Sequence, residues 1–387
     1  MRNILSLIVL MLAVAGSARG QEGQAPENQP VQPPEFGEEV TVTEVQLDVL
    51  VTDNDGNVII GLGEDDFVVR EDGKPVELTD VTFYSNRRFV EDPEMAARLG
   101  VDPSEVPVER YFVLFFHDQR ALFPRLMAQQ LDAARFIKRW VEEQLLRNDH
   151  VAVVSYLHKL KVHQDFTTDK AEIVKGVDDA IRGKETPGTW PSRQGAAGEG
   201  PSLLPYLPQG EALRARTTRI YDGLEVVARA LGPVEGRKNL VLFSIGFGDI
   251  NSFGLYTPDR RYYPGMVRAL NDNNVAVYSV DLVPSSLFIH PVEQALNNAL
   301  SDLSADTGGR YYFNFVNFLS PLEQLSEDNN GYYLLSYRSP HPRGRQGYQK
   351  VDVKTRNPEF DVRARRGYIF GEPPISAAAR TAEAEGR

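Results

Sequence analysis

The chain has no cysteine in its 387 residues, so it forms no disulfide, builds no thiolate metal site and carries no cysteine nucleophile. Histidine is scarce as well, with six in all, at His117, His150, His158, His163, His290 and His341. None stands in a His-Glu-x-x-His helix, which removes the common zinc-protease arrangement. Neither a Gly-Lys-Ser/Thr phosphate loop nor a dinucleotide-binding fingerprint occurs. Basic residues number 42 against 54 acids, for a net charge of -12. A general nucleic-acid binder needs a basic face, and this balance argues against one. Beyond the N-terminus no segment is apolar enough to span a bilayer.

What is present starts with MRNILSLIVLMLAVAGSARGQ. Arg2 precedes an apolar run, Ile4 to Ala15, too short for a membrane helix, and small residues follow at Gly16, Ser17, Ala18 and Gly20. Residues 1–20 therefore read as a secretory signal peptide, which predicts a protein of the periplasm or the outside. Residues 21–37, rich in Pro, Gln and Glu, read as an extended linker. The length and a hydrophobic content of 42% supply material for more than one core.

Residues 38–90 carry β-patterning. Val45, Leu47, Val49 and Val51 alternate with largely polar neighbours, and Asp55-Gly56 and Asp72-Gly73 mark tight turns. Residues 108–330 alternate buried strands with helices, which predicts a doubly wound, mostly parallel α/β sheet. Its strands are Tyr111 to Phe116, Val151 to Tyr156, Leu240 to Ser244 and Val275 to Val280. Leu160 to His163 follows its neighbour too closely for a crossover and so predicts an antiparallel edge. Helical periodicity from Leu126 to Leu145 puts Leu131, Ala134, Ile137 and Trp140 on one side. Residues 183–210, crowded with Gly and Pro, read as a surface loop overhanging the sheet's C-terminal end. Residues 331–371 return to strands, and residues 372–387 read as a frayed tail. The two β-segments each leave edges open, so they are expected to join into one sandwich flanking the α/β domain. Arg363, Arg365 and Arg366 are expected to be solvated charges guarding an edge strand.

Taken in order, YFVLFFHD, DHVAVVSY, GRKNLVLFSIGFGD, NNVAVYSVD and LSDLSADTGGRYYF resemble a von Willebrand factor type A domain. With the flanking VLVTDNDGNVIIGLGEDDFVVREDGKPVEL and GYYLLSYRS, the chain is similar to the VWFA-related family abundant in Acidobacteria. The resemblance implies the strand order 3-2-1-4-5-6 and a ligand crevice where that order reverses. That crevice lies between the strand ending at Asp118 and the strand ending at Ser244. Typical members hold Mg²⁺ there with Asp-x-Ser-x-Ser, a threonine, and an aspartate after the fourth strand. Here Asp118 and Thr218 match, Arg120 and Leu122 stand at the serine positions, and Ile245 stands at the second aspartate. Asp249 follows a short way along. The resemblance thus implies a degenerate metal site, with Mg²⁺ held weakly or not at all and no other cofactor. Asp118 is left with two readings, a turn or cap residue and a metal ligand.

No catalytic constellation emerges. Ser244-Ile245-Gly246 lacks the first glycine of a nucleophile elbow, and His117-Asp118 is the one acid–base pair near the crevice. The expected function is an exported, non-enzymatic protein-binding or adhesion-type module with an unidentified protein partner in the cell envelope or outside. Arg120, Trp190, Tyr206, Ser244 and Asp249 are its candidate partner contacts. The alternative is an exported hydrolase or metal-dependent enzyme centred on His117-Asp118.

Overall fold

The computed structural model describes residues 40–54, 56–85, 109–119, 126–184, 200–250, 256–282, 298–313, 315, 317–342 and 347–371. The signal-peptide and linker segments, the C-terminal tail, Arg120, Leu122 and Trp190 lie outside them.

The N-terminal β-segment gives β1 (Val40–Thr52), β2 (Phe67–Glu71), β3 (Lys74–Pro75) and β4 (Leu78–Ser85). The α/β region supplies β5 (Arg110–His117), α1 (Leu126–Glu143), β6 (Asp149–Leu157), β7 (Lys159–Thr167) and α2 (Lys170–Ile181). It continues with α3 (Gly210–Arg216), α4 (Ile220–Ala230), β8 (Lys238–Ser244), β9 (Asp249–Ile250) and β10 (Tyr256–Thr257). Next come α5 (Tyr263–Asp272), β11 (Val275–Asp281), α6 (Asn298–Asp306), β12 (Tyr311–Tyr312) and α7 (Leu319–Asp328). The last strands are β13 (Gly331–Pro342), β14 (Gly347–Thr355), β15 (Asp361–Arg363) and β16 (Gly367–Phe370).

The central sheet runs β12-β11-β8-β5-β6-β7, which is the doubly wound order expected, with its reversal between β5 and β8. All strands are parallel except β7, which turns back antiparallel to β6 through His158 at φ 57. Because successive side chains face opposite ways, β5 feeds two cores. Val113 and Phe115 pack with Leu224, Val227 and Leu270 on one face. Phe112, Leu114 and Phe116 pack with Ile137, Trp140 and Leu322 on the other. Each such ring removed from water contributes about 1.5–3 kcal/mol. On α1 the expected stripe holds at Ala134, Ile137 and Trp140 but fails at its first residue. Leu131 is 52% exposed while Gln130 is buried, because the face is set by Ile137 and Trp140 further along.

Helix α6 ends where the paired glycines predict. Gly308 takes φ +74, and a Cβ on Gly309 would stand 2.0 Å from the Val277 carbonyl oxygen of β11. Only glycine lets the chain turn this close to the sheet.

The two β-segments build a sandwich together. One sheet runs β15-β1-β13-β4 and the other β16-β14-β2-β3, so each mixes strands from both ends of the chain. Between them lie Val45, Leu47, Val49, Phe67, Val69, Tyr333, Leu335 and Tyr337. Tyr333 donates to the Ile59 carbonyl and accepts from Leu62 N–H, which ties down the first loop.

Two of the three arginines in the cluster are not solvated, whereas Arg366 is exposed as expected. Arg363 makes a bidentate ion pair with Asp328 on α7, and Arg365 donates to the carbonyls of Gln46 and Asn271. These contacts, with Arg237 to Asp48 at 3.4 Å, join the sandwich to the N-terminal ends of the sheet strands. Charges on a short strand looked solvated in one dimension; in three they meet carbonyls and an acid of the α/β part.

The described part of the 183–210 loop does not overhang the C-terminal end of the sheet. Asp165 of β7 accepts from Ser202 Oγ at 2.6 Å and Leu203 N at 2.8 Å. Asp165 lies toward the β7 end that pairs with the start of β6. Leu203 and Leu207 are buried in the core, and between them Tyr206 stands 53% exposed on the sheet's flank.

Candidate functional site: the crevice at the strand ends

Parallel register sets the site. Phe116 of β5 faces Phe243 of β8, so the next residues, His117 and Ser244, arrive side by side. His117 Nδ1 lies 2.9 Å from Ser244 Oγ. One residue on, Asp118 N–H donates to the Tyr156 carbonyl at 2.8 Å, which extends the β5–β6 ladder past the strand. Gln119 then reaches across the reversal point. Its Nε2 donates to Gly246 O at 2.9 Å, and its Oε1 accepts from Ile245 N at 3.1 Å and Ser244 Oγ at 3.2 Å. Gly246 N in turn donates to Ser244 Oγ at 3.0 Å. Ser244 Oγ thus has His117 Nδ1, Gln119 Oε1 and Gly246 O within hydrogen-bond distance, and the imidazole tautomer decides which of them takes the serine proton.

The network is buried: Ser244 has no exposed surface, Ile245 is 4% exposed, and His117, Asp118 and Gln119 are all under 9%. Burial pulls the His117 pKa down to about 3, against the opposing pull of the Asp118 carboxylate. The edge of the Tyr156 ring packs 5.7 Å from the imidazole. The crevice floor is therefore neutral at physiological pH apart from Asp118.

Thr218 sits at the start of α4. Its hydroxyl donates to Asp222 at 3.3 Å, and Arg219 N–H donates to the same carboxylate at 3.1 Å. This caps the helix and occupies the threonine. Its neighbour Thr217 is buried and bonds Leu213 O and Leu160 N, so it holds α3 against β7. Asp249 is exposed on β9, where it pairs with Thr257 of β10.

These residues do not fit a divalent cation. Such an ion needs several oxygen ligands in one cage. Here Ile245 contributes a buried alkyl group, Ser244 is spent on Gln119, His117 and Gly246, and Thr218 faces Asp222. Among the described residues no cluster of three His, Asp or Glu is arranged to hold a metal. Nor does Ser244–His117 make a working nucleophile and base. The serine is out of reach of a substrate, and an imidazole held near pKa 3 is a weak base.

The structure thus brings Asp118 and Ser244 to one crevice and sets Tyr206 apart on the flank. Gln119, the residue that links both loops, was missed because it falls at a variable position of the expected motif. A polar amide directly after a buried run, opposite a loop rich in glycine, was the signal available. His163 on β7 is half-buried. Its Nε2 lies 2.8 Å from Ser155 Oγ, and burial lowers its pKa to about 4.

No family model and no curated protein matches the chain. Among solved structures it is similar to the conserved hypothetical protein BatB from Bacteroides thetaiotaomicron, at 14% identity, 57% of this chain, 97% of that chain and a TM-score of 0.36. A second is the PilB minor pilin from Streptococcus sanguinis, at 13% identity, 57% of this chain, 62% of that chain and a TM-score of 0.32. A third is the vWF domain of the type V pili tip protein Mfa5 from Porphyromonas gingivalis, at 19%, with 36% and 38% covered and a TM-score of 0.22. Structures of von Willebrand factor type A proteins are thus among those this chain is similar to, and its own strand order assigns it to the doubly wound α/β class.

Proposed function

We propose that the chain is an exported, non-enzymatic protein-binding module of the VWFA-related kind, working without a bridging metal. The observation that carries this is the Gln119 clasp. An uncharged amide joins the two loops at the strand reversal, at the place where related folds put an ion. A partner is then held by direct hydrogen bonds and packing on the rim of the crevice. Asp249 and the capped start of α4 are exposed there, and Arg120 is a further candidate. Tyr206 on the flank offers an amphipathic anchor, and Trp190 is a further candidate.

The test is capture of envelope proteins on immobilised protein, in chelator and in Mg²⁺. The same proteins should be retained in both, and Asp249→Ala or Tyr206→Ala should weaken retention. Release by chelator would overturn the metal-free reading. The hydrolase alternative is centred on His117-Asp118, with Ser244 Oγ 2.9 Å from the imidazole, and the burial of all three counts against it. Turnover on a panel of ester, peptide and glycoside substrates that disappears in Ser244→Ala would establish that alternative instead.

A further inference from the structure

The edge strand β7 holds a histidine where the ladder has no place for it. Val153 of β6 faces Gln164, and Val154 faces Val162, so His163 faces no residue at all. It is the extra residue of a β-bulge, a device that re-aims a side chain. The bulge sets His163 and Gln164 toward α2, whose Gly176 packs so closely that a Cβ there would stand 2.8 Å from Gln164 Cβ. The imidazole is thus wedged between a sheet edge and a helix. Its Nε2 lies 2.8 Å from Ser155 Oγ of β6, and its Nδ1 is buried without a hydrogen-bond partner.

That unpartnered nitrogen makes the position sensitive to acid. An imidazolium carries a proton on each ring nitrogen, so Nδ1–H becomes a buried donor with no acceptor. Such a donor is costly, more so when it bears a charge. The groups around it do not compensate. Lys161 of β7 and Lys175 of α2 oppose a positive ring, and Asp179 of α2 favours it. Asp179 is already committed, to Lys175 at 3.0 Å and to Lys184 at 3.4 Å. Glu172, the next acid on α2, bonds Thr167 and Gln164.

β7 in turn carries the flank of the molecule. Near one end Leu160 N donates to Thr217 Oγ1, which ties the strand to the end of α3. Near the other, Asp165 accepts from Ser202 Oγ and Leu203 N. Tyr206 stands exposed between the buried Leu203 and Leu207, so its position depends on β7 staying in place.

We propose that His163 is an acid-operated latch, whose protonation frees β7 from β6 and α2 and with it the segment that presents Tyr206, so that a partner held there is released as the surroundings acidify. The release rests on the reading of Tyr206 as a partner contact; the latch does not. The sign follows from the two forms of the ring. Burial, then Lys161, holds the closed form near pKa 4, and the opened form takes its proton near 6.5. Closure is complete above pH 6.5 and is lost as pH falls toward 4.

The test is amide hydrogen exchange on the full chain, without a partner, at pH 7.5 and pH 5, corrected for the intrinsic rate. Opening at Leu160 to Thr167 and at Leu203 to Leu207 should rise on the order of tenfold, and far less in β1 and β13 of the sandwich. His163→Asn should remove the rise. Because that variant alters the bulge itself, the ring nitrogens of the unaltered chain are also followed by NMR, and His163 should titrate well below 6.5. An ordinary histidine midpoint, an equal rise in the sandwich, or an equal rise in His163→Asn would each overturn the latch. Envelope proteins retained on the immobilised chain at pH 7.5 should be lost at pH 5. Equal retention at both, with β7 open at pH 5, would overturn the release. Retention of nothing at pH 7.5 would instead remove the binding reading and leave the latch to the exchange data.

Discussion

At their C-terminal ends β5 and β8 are tied by uncharged groups, Gln119, Ser244 and a neutral His117. At their N-terminal ends the same two strands begin among buried ions. Arg110 forks onto Asp149 at 2.6 and 2.8 Å, and Arg237 meets Asp48 where both side chains are under 10% exposed. The two ends therefore respond differently to change. A neutral clasp incurs little desolvation, and each of its bonds contributes about 1 kcal/mol. An ionic junction adds little over an apolar one while whole, yet losing one partner strands a buried charge. The sandwich is thus tied to the base of the sheet by buried ions, whereas the crevice is closed by uncharged bonds.

The largest test of this contrast is Arg237→Met. It leaves Asp48 buried without its ion-pair partner and should cost about 3–5 kcal/mol in urea unfolding. Asp48→Asn added to Arg237→Met should recover part of that loss. A cost below about 1 kcal/mol would mean that the junction is no more ionic in effect than the crevice.

Gln119→Leu should cost less, about 1–3 kcal/mol, since Ile245 N–H and Gly246 C=O lose their partner. Amide exchange should rise at Ile245 and its neighbours and stay unchanged across the sandwich. Exchange rising in both places would erase the distinction between the ends.

Acid should act on the crevice next. His117 is held near pKa 3 when folded and returns to about 6.5 when unfolded, so the unfolded chain binds the extra proton between these values. The stability it contributes is present above pH 6.5 and is lost as pH falls toward 3. The slope is at most about 1.4 kcal/mol per pH unit. His163, lowered to about 4, adds a parallel slope, so His117→Asn should remove only part of the pH dependence. At the other end Lys238 is lowered to about 8 by burial, and its effect falls at pH 8 to 10.5, where stability should rise with pH. A stability profile across both windows separates the two ends in one experiment.

The smallest expected effect is that of Mg²⁺ or Mn²⁺. Without differential binding, a ligand leaves the unfolding midpoint unchanged, and the shift should stay under about 1 °C in both the parent and Asp118→Ala. Micromolar binding that vanishes in Asp118→Ala would show that other groups restore the ligand cage.

Much of this was legible in the sequence because it rests on short-range pattern. Buried strands such as YFVLFFH announce themselves by length and apolarity, and the paired glycines at Gly308-Gly309 mark the end of α6 by backbone freedom. The sandwich followed from edges that neither β-segment closes alone. What stayed hidden depends on tertiary partners. Nothing near Arg363 or Arg365 in sequence names Asp328 or the Gln46 carbonyl. The site was half legible: the alkyl side chain at Ile245 could be read directly, but the amide that cross-links the two loops could not. Its bonds go to backbone groups more than a hundred positions away.

The sandwich also fixes an order of events during synthesis. Tyr333 bonds to Ile59 across 274 intervening steps of chain, and β1 has its main partner in β13. As the polypeptide emerges, β1 must remain unpaired until the whole α/β region has been made. That region holds its parallel sheet and helices within one continuous stretch, and has no such wait. The late-closing sandwich is then the slow step of folding and the period of greatest exposure to mispairing. In a chain interrupted anywhere before β13, β1 is left as an orphan strand, which makes the join between the two ends of the polypeptide a check that the molecule has been completed through β13.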